Sequence, residues 1–425
     1  MNSFPRSVRG RKKRKRLGVV EVVDREKYEG MELDAKVELI KGLVPLGLMH
    51  VRELLEQEVE ELAQGWYARK TEEAVGRRYG SNPGSVRLAG QRIPVRVPRV
   101  RGSRGEIPLR SYGALQGDGE VDEGLLRRVL YGISCRNYEA AAEAIPGAIG
   151  LSSSSVSRSF VGASTAKLRE FQERDLSGED YVALFLDGKT FAEETMVLAL
   201  GVTLSGEKRF LGFVETSTEN KRVLTLFLRS LMDRGLDVSR GILVILDGGK
   251  GLRSAVKKVF RRRAVVQRCL WHKRENVVAH LPKGEQALWR RRLQRAYERP
   301  TYKEALAELE EIYRDLELTN QSAAASLKEG LEETLTLHRL GVFGALGRSF
   351  KTTNCLESVN AMVEERCAKV DVWKNSSQRQ RWLATALLDT EPRLRKVMGY
   401  RNLPLLCDAI QRDLKIERVS QEKAA

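Results

Sequence analysis

The stretch Tyr181-Val-Ala-Leu-Phe-Leu-Asp187-Gly-Lys-Thr190 is an apolar run of strand length that ends abruptly in a carboxylate. A run of this kind, bounded by a glycine, predicts a buried strand. An Asp at the end of a buried strand is costly unless a positive charge lies against it. The pattern returns in Gly241-Ile-Leu-Val-Ile-Leu-Asp247-Gly-Gly249, so two such strands could bring two carboxylates together and form a metal site.

The segments around these two strands alternate between strand and helix patterns. The predicted order is strand (181–187), strand (195–204), strand (208–216), helix (220–235), strand (241–247), helix (250–260) and strand (264–270). This order predicts an α/β fold with a mixed sheet covered by helices. Its first and fourth strands can lie adjacent and parallel, which would place Asp187 and Asp247 at the same end of neighbouring strands.

The patterns along the whole chain predict seven segments. They are a disordered basic arm (1–20), an N-terminal helical unit with an Arg-rich β ribbon (21–120), a helix-turn-helix region (121–175), the first part of the α/β core (176–280), an all-α insertion (281–345), the last acidic helix of the core (346–390) and a C-terminal tail (391–425). Helical spacing of apolar residues predicts helix over 30–80 and, within the insertion, over 287–297, 305–316 and 325–340. Pro392 and Pro404 are expected to break the tail.

The net charge of the 425-residue chain is +17, and eight Lys or Arg fall within residues 1–16, so the rest still carries +9. A basic excess spread over a folded protein favours a polyanionic partner, most often nucleic acid, although a protein of high pI without such a partner is the plainer alternative. Five cysteines, an odd number, predict no disulfide framework and a reducing, cytoplasmic location. Since no apolar run reaches about 18 residues, we expect no membrane span.

Two regions offer candidate contacts for nucleic acid. Residues 85–113 carry seven Arg among apolar residues and prolines, an edge-strand pattern whose open face would present Arg96, Arg99 and Arg101 to phosphates. A basic ribbon without a ligand is the alternative.

The second region, residues 122–171, shows three helical stripes. The third helix begins with hydroxyls and an Arg that suit a recognition helix, namely Ser153, Ser154, Ser157 and Arg158. The connection before it is longer than in a standard helix-turn-helix, so an ordinary three-helix packing unit stays an alternative.

A third carboxylate, Glu357, follows Asp247 by 110 residues and opens another helix. Three such carboxylates can hold two Mg²⁺ or Mn²⁺ ions for in-line displacement at phosphorus. Plainer interpretations exist, because Leu-Asp-Gly is a common turn. In addition, Asn354 as N-cap with Glu357 three residues later has the spacing of a capping box.

The segment Cys269-Leu-Trp-His272 has the spacing of a metal-ligand pair. A second matching pair is absent from the sequence, so structural zinc is disfavoured. A packing or hydrogen-bonding role beside the carboxylates is the favoured interpretation.

The order of Asp187, Asp247, Gln267-Arg-Cys-x-x-His-Lys273 and Thr353-Asn-x-x-Glu-Ser-x-Asn360 resembles the Mutator-type transposases of bacterial insertion sequences, over about residues 30–400. The resemblance implies a ribonuclease-H-like catalytic domain with a helical insertion before its last acidic helix. It implies that the D-D-E metal ligands, for Mg²⁺ or Mn²⁺, are Asp187, Asp247 and Glu357. It further implies a supporting group that comprises Cys269, His272, Asn354 and Asn360.

One position departs from the family. Many members carry a basic residue seven positions after the Glu, where this chain has Glu364, and the nearest basic residue is Arg366. The role of that basic residue is therefore unassigned in this sequence.

The resemblance predicts a DNA transposase whose helix-turn-helix binds the terminal inverted repeats of the element. Mg²⁺-dependent hydrolysis would free a 3′-OH, which would then attack target DNA. Because two double-stranded DNA ends must be paired, we expect a homodimer or a larger synaptic complex. The alternatives are a nuclease or resolvase without strand transfer, and a DNA-binding protein with an inactive catalytic domain. The intact carboxylate set argues against the second.

Overall fold

A computed structural model describes residues 50–63, 75–88, 91–116, 123–131, 153–216, 220–368 and 370–416 of the chain. Its contacts divide the chain into two units, Met1–Asp118 with Ile145–Ile149 and Gly119–Ala144 with Gly150–Ala425. The basic arm and the middle helix of the helix-turn-helix lie outside the described residues, so both stay predictions.

In the first unit, a helix packs on a small antiparallel sheet. Its elements are helix α1 (residues 50–63), strands β1 (Arg77–Leu88), β2 (Gln91–Gly102) and β3 (Gly105–Ile107), in the spatial order β1-β2-β3, and helix α2 (Arg110–Leu115). The shared core contains one face of α1 and one face of the sheet, through Val51, Leu55, Val59, Val86, Ile93 and Val100. The predicted helix over 30–80 is wrong from Arg77 onward, because this segment pairs with β2 instead.

The prolines of β2 lie where the strand has one open side. Among the described residues, β3 pairs with β2 only from Val100 to Gly102, whereas Pro94 and Pro98 have β1 as their neighbour. A proline cannot donate a hydrogen bond to a sheet, so an open side accommodates it. The edge-strand prediction is confirmed for this stretch.

The second unit contains a five-stranded sheet covered by helices. Its strands are β4 (Tyr181–Phe191), β5 (Glu194–Thr203), β6 (Lys208–Thr216), β7 (Ile242–Leu246) and β8 (Ala264–Arg268). Its helices before and within the sheet are α3 (Glu123–Leu130), α4 (Ser153–Glu173), α5 (Lys221–Asp233) and α6 (Lys250–Phe260). The later helices are α7 (Leu270–Val278), α8 (Lys283–Tyr297), α9 (Tyr302–Thr319), α10 (Gln321–Lys328), α11 (Leu331–Thr334), α12 (Thr336–Arg339), α13 (Phe343–Phe350), α14 (Asn354–Cys367), α15 (Ser376–Thr390) and α16 (Leu403–Leu414).

The sheet has the spatial order β6-β5-β4-β7-β8. The pairs β6–β5 and β5–β4 are antiparallel, whereas β4–β7 and β7–β8 are parallel. The predicted α/β class, the order of strands and helices, and the parallel pairing of the first and fourth strands are confirmed. The first strand is longer than predicted, since β4 continues past Asp187 to Phe191.

Alternate residues of β4 enter two separate cores, one on each face of the sheet. Ala183 and Phe185 pack in a cluster that also contains side chains of α3, α4 and α12–α16. Leu184 and Leu186 pack in a second cluster with α5 and α6. Continuing the alternation places Asp187 on the first face, where α14 lies.

A third core lies within the helical insertion and is built from α7–α10. The predicted helices over 287–297 and 305–316 are present, within α8 and α9. The segment 325–340 is helical as predicted, but it is not one helix. Gly330, with a left-handed backbone (φ 67), separates α10 from α11, and Leu335 separates α11 from α12.

The predicted C-terminal tail includes a core helix. Leu403, Leu406 and Ile410 of α16 are fully buried against the sheet face that carries Ala183 and Phe185. Pro404 does not break this helix, because it lies in the first turn, where its missing N–H is not needed. None of the helices in the described part of the chain combines the length and the apolar character needed to cross a bilayer.

Candidate active site

The parallel pairing of β4, β7 and β8 stops at one level of the sheet. The register pairs Leu186 with Leu246, and Leu246 with Arg268. The following residues, Asp187, Asp247 and Cys269, therefore occupy one row. Ala183, Leu243 and Val265 share the core of the α14 face, so the odd-numbered residues of the row point the same way.

Asp187 is buried among other charges. Asp187 is only 7% exposed. Burial, followed by the negative charges of Asp247 and Glu357, raises the pKa of Asp187 to about 7, although the positive charge of His272 opposes the shift. These mutual effects place the two aspartates, the glutamate and the histidine within electrostatic reach of one another.

Asp247 is half-buried and begins a turn. Its Oδ1 accepts a hydrogen bond of 3.0 Å from the backbone N–H of Gly249. The turn interpretation of Leu-Asp-Gly is therefore confirmed at this position. It leaves room for a second role, because a carboxylate has about four acceptor sites.

Glu357 lies in the first turn of α14 and is exposed. The capping-box interpretation is wrong, because the N-cap residue is Thr353 and no side chain caps the helix. Asn354 is the first helical residue, which moves Glu357 one position beyond the capping spacing. The charge of Glu357 acts on Asp187 and helps to raise its pKa.

Cys269 and His272 connect the sheet edge to the start of α14. The buried Cys269 thiol accepts hydrogen bonds from the Thr353 backbone N–H (3.4 Å) and from its hydroxyl (3.6 Å). The same hydroxyl lies 3.5 Å from His272 Nδ1. The backbone N–H of Leu270 donates to Lys351 O at 2.9 Å. The predicted hydrogen-bonding role of the Cys-x-x-His pair is thus present, and its partner is Thr353.

The Cys269–His272 pair is also polarised. Burial would raise the pKa of Cys269, but hydrogen bonds and the charge of His272 outweigh it, so the thiol pKa is lowered. Burial would lower the pKa of His272, but its hydrogen bond with Cys269 and the charges of Cys269, Asp187 and Asp247 raise it to about 9. His272 therefore carries a positive charge beside the two aspartates at neutral pH.

The other polar residues of this motif hold the helical insertion to the sheet. The fully buried Gln267 side chain donates to Thr334 O (2.9 Å) and accepts from the Leu337 N–H (3.0 Å). The buried Lys273 ammonium donates to the carbonyls of Ser326 and Glu329. These residues position the insertion and do not reach the carboxylates through any contact described.

The carboxylates fit a divalent cation by their chemistry. Hard oxygen donors suit Mg²⁺ or Mn²⁺, and a cation between Asp187 and Asp247 would offset both the burial and the repulsion that raise the Asp187 pKa. Within the part of the chain that the structure describes, no group of three or more His, Cys, Asp or Glu forms a metal-binding cluster. The fit is therefore one of donor chemistry and of a shared sheet edge. Of the predicted supporting residues, Asn360 is buried one turn after Glu357, and Asn354 is exposed.

The predicted DNA-contacting residues lie on exposed surfaces in both units. On β2, Arg96 and Arg101 are exposed, whereas Arg99 is ion-paired with Glu106; Arg99 and Arg101 both lie over the Tyr79 ring. On α4 the exposed residues are Ser153, Ser154, Ser157 and Arg158, with Val156 and Phe160 buried behind them.

Two residues of this region were missed in the sequence, Thr353 and Lys189. Thr353 directly precedes α14 and could have been found as a hydroxyl at a helix start, one position before the predicted cap. Lys189 Nζ forms an ion pair of 2.5 Å with Glu364 of α14, which no local pattern would reveal. Arg366, the other basic residue considered, is buried, paired with Asp389 at 3.1 Å and stacked over Tyr131.

Comparison with known proteins identifies the chain's relatives. The sequence model of the family described as "Transposase, Mutator family" matches residues 19–395. The transposase for insertion sequence element IS256 in transposon Tn4001 of Staphylococcus aureus is 28% identical over 353 residues, which cover 79% of this chain and 87% of that protein. The transposase for insertion sequence element ISRM5 of Rhizobium meliloti (strain 1021) is 27% identical over 399 residues, covering 89% of this chain and 96% of that protein. Since the family match spans most of its length, the chain belongs to the Mutator family of transposases.

Proposed function

We propose that the protein is a DNA transposase that uses Asp187, Asp247 and Glu357 to hold Mg²⁺ or Mn²⁺. One observation carries the proposal. Asp187 and Asp247 occupy one row and one face of adjacent parallel strands, where burial and mutual repulsion raise the Asp187 pKa to about 7. A fold gains no stability from two repelling carboxylates at a buried edge, so their placement supports a functional use.

The catalytic domain is proposed to be ribonuclease-H-like. Support comes from the mixed sheet, in which an antiparallel β6-β5-β4 hairpin series continues into parallel β7 and β8. The helical insertion α8–α12 also precedes the acidic helix α14, as the family resemblance implies.

When bound, two metal ions would activate the attacking oxygen and stabilise the leaving oxygen at phosphorus. The protein's own residues supply position and charge. Strand register fixes Asp187 and Asp247, and the hydrogen bonds between Cys269 and Thr353 hold the start of α14 so that Glu357 stays near the edge. Because the pKa of Asp187 is raised to about 7, a bound cation would favour its ionised form near neutral pH.

Double-stranded DNA is the proposed substrate, as terminal inverted repeats and as target. The exposed hydroxyls and Arg158 at the start of α4 would contact the repeats, and Arg96, Arg99 and Arg101 on β2 would contact phosphates. Pairing two ends would require a homodimer or a larger complex, which would act where bacterial DNA is, in the cytoplasm.

A strand-joining assay tests the proposal. The protein is incubated with labelled duplexes that carry the ends of its own element, a target plasmid and Mg²⁺. Joined products would support transposition, cleavage without joining would favour the nuclease or resolvase alternative, and binding without cleavage would favour an inactive DNA-binding protein. If Asp187→Ala still cleaved and joined DNA, the carboxylate assignment would be wrong.

The DNA-binding assignment has its own test. Arg158→Ala should weaken binding to a terminal-repeat duplex about 10-fold in a fluorescence anisotropy titration, since a specific base contact contributes on the order of 1–3 kcal/mol. Unchanged affinity would move recognition away from α4, and the β2 arginines would be examined next.

A further inference from the structure

A second pair of side chains links β4 to α14 beside the carboxylates. Lys189 Nζ lies 2.5 Å from a carboxylate oxygen of Glu364. Lys189 follows Asp187 by two residues, so the two share one side of β4. Glu364 follows Glu357 by seven residues, which returns to the same side of the helix within about 20°. Strand β4 and helix α14 therefore face each other through two successive pairs. Asp187 and Glu357 carry like charges, and Lys189 and Glu364 carry opposite charges.

The strand holds Lys189 in this position. Pairing between β4 and β5 is regular from Ala183 to Phe191. The next residue on the same side, Phe191, packs against Trp373 with ring centroids 5.1 Å apart. Lys189 is thus placed between a buried acidic residue and an aromatic contact.

The Lys189–Glu364 ion pair is open to water. The exposed fractions of the two side chains are 37% and 62%. An exposed pair of this kind contributes little to stability, so another anion can replace Glu364 at low cost. Arg366, the sole Lys or Arg in the sequence of α14, is already committed, because it is buried against Asp389.

We propose that Lys189 contacts a DNA phosphate within about two nucleotides of the one undergoing reaction, and that Glu364 holds the ammonium group ready until DNA displaces it. Two residues along a strand span about 6.6 Å. Successive phosphates of one DNA strand advance about 3.4 Å along the helix axis, so the contacted phosphate lies within about two nucleotides. This inference rests on the proposed function and adds a substrate-positioning residue to it.

Opposite effects of the two partners test the proposal. Binding of a terminal-repeat duplex is measured at several KCl concentrations with wild-type protein, Lys189→Ala, Glu364→Gln and the double variant. Lys189→Ala should bind about 3- to 10-fold more weakly and lower the salt slope by about one phosphate contact. Glu364→Gln should bind more tightly, because it removes both a competing anion and a negative charge. The double variant should bind only slightly more tightly than Lys189→Ala, because the ammonium group is gone and only the negative charge of Glu364 is removed.

Lys396→Ala is the matched control, since it also removes one charge from an exposed pair, with Glu207 at 3.8 Å. Its binding and salt slope should stay near those of the wild-type protein. If Lys189→Ala behaved like this control, or if both partner variants changed affinity in the same direction, Lys189 would be only a surface ion-pair residue. A joining assay on the wild-type protein separates this failure from that of the proposed function. Wild-type protein that joins DNA with an unaffected Lys189→Ala overturns the inference alone, whereas wild-type protein that cannot join overturns the transposase proposal.

Discussion

Asp187 and Asp247 reach the sheet edge through strand pairing, whereas Glu357 reaches it on a helix that is anchored by its first residues. The first two are fixed by register, because Leu186 pairs with Leu246 immediately before them. Glu357 lies on a helix that packs on the sheet through Leu356 and Val359, and its first turn is also held by contacts of Thr353 with Cys269. The strand-borne carboxylates are thus placed by backbone pairing, and the helix-borne carboxylate by side-chain contacts.

Replacing a carboxylate on a strand should have the largest effect on activity. Asp187→Asn removes a charge while keeping the shape of the side chain, and should lower strand joining about 10³-fold, equivalent to about 4 kcal/mol. Product formation is followed by gel with Mg²⁺ present. Asp180→Asn is the matched control, because Asp180 is exposed before the other end of β4 and should leave joining unchanged. Comparable rates for both variants would remove Asp187 from the site.

Asp187 on its strand and Glu357 on its helix should also differ in how much they contribute to the pH dependence of stability. Since the folded pKa of Asp187 is raised above its value of 3.8 to about 7, the folded state binds this proton more tightly, and stability is lost as pH rises through that window. The free energy of unfolding of the wild-type protein relative to Asp187→Asn should fall by about 2–3 kcal/mol between about pH 5 and about pH 8. Urea unfolding without divalent cations measures this difference.

Glu357→Gln provides the comparison for this pH experiment. The charge of Glu357 raises the pKa of Asp187 less than burial and Asp247 do, so its replacement should weaken the pH dependence only slightly. Adding Mg²⁺ should raise the wild-type melting temperature near neutral pH and leave that of Asp187→Asn closer to its starting value. A wild-type curve that runs parallel to Asp187→Asn across the whole range would contradict the buried-charge account.

Loss of the Cys269–Thr353 contact at the start of α14 should have a smaller effect on strand joining. Cys269→Ala leaves the buried Thr353 N–H without its acceptor, and should lower joining about 10- to 100-fold by loosening the start of α14. Cys269→Ser keeps an acceptor, so its joining rate should fall between those of the wild-type protein and Cys269→Ala. Rates are compared at a temperature at which every variant is folded.

Cys367→Ala controls for the loss of a buried thiol. Cys367 lies in the same helix, but it packs among apolar side chains. Its replacement should cost stability through a small cavity and leave the joining rate intact. Equal losses of activity in the Cys269 and Cys367 variants would mean that the Thr353 contact has no special role.

The same contrast explains what the sequence could predict. Apolar runs that end in Asp187 and Asp247 carry their strand identity locally, and parallel pairing then follows from the order of elements. The cap of α14 was predicted one residue late, because Thr353 and Asn354 are both acceptable N-caps and tertiary contacts decide between them. The Lys189–Glu364 pair joins residues 175 positions apart in the sequence, so neither residue carries a local signal of it.

A substitution in the two-residue turn between β4 and β5 should have the smallest effect. This turn connects the strand that carries Asp187 to its neighbour. Ala192 and Glu193 both have positive φ (50 and 71), the geometry of a turn that favours Asn-Gly. Glu193→Gly should raise the free energy of unfolding by about 0.5–1 kcal/mol, because relief of a left-handed non-glycine residue exceeds the entropy that glycine loses. Glu194→Gly, one residue later in β5, should instead lower stability by a similar amount, since it weakens a strand. If both substitutions changed the free energy of unfolding in the same direction in urea, the positive φ of Glu193 would not be a source of strain in this turn.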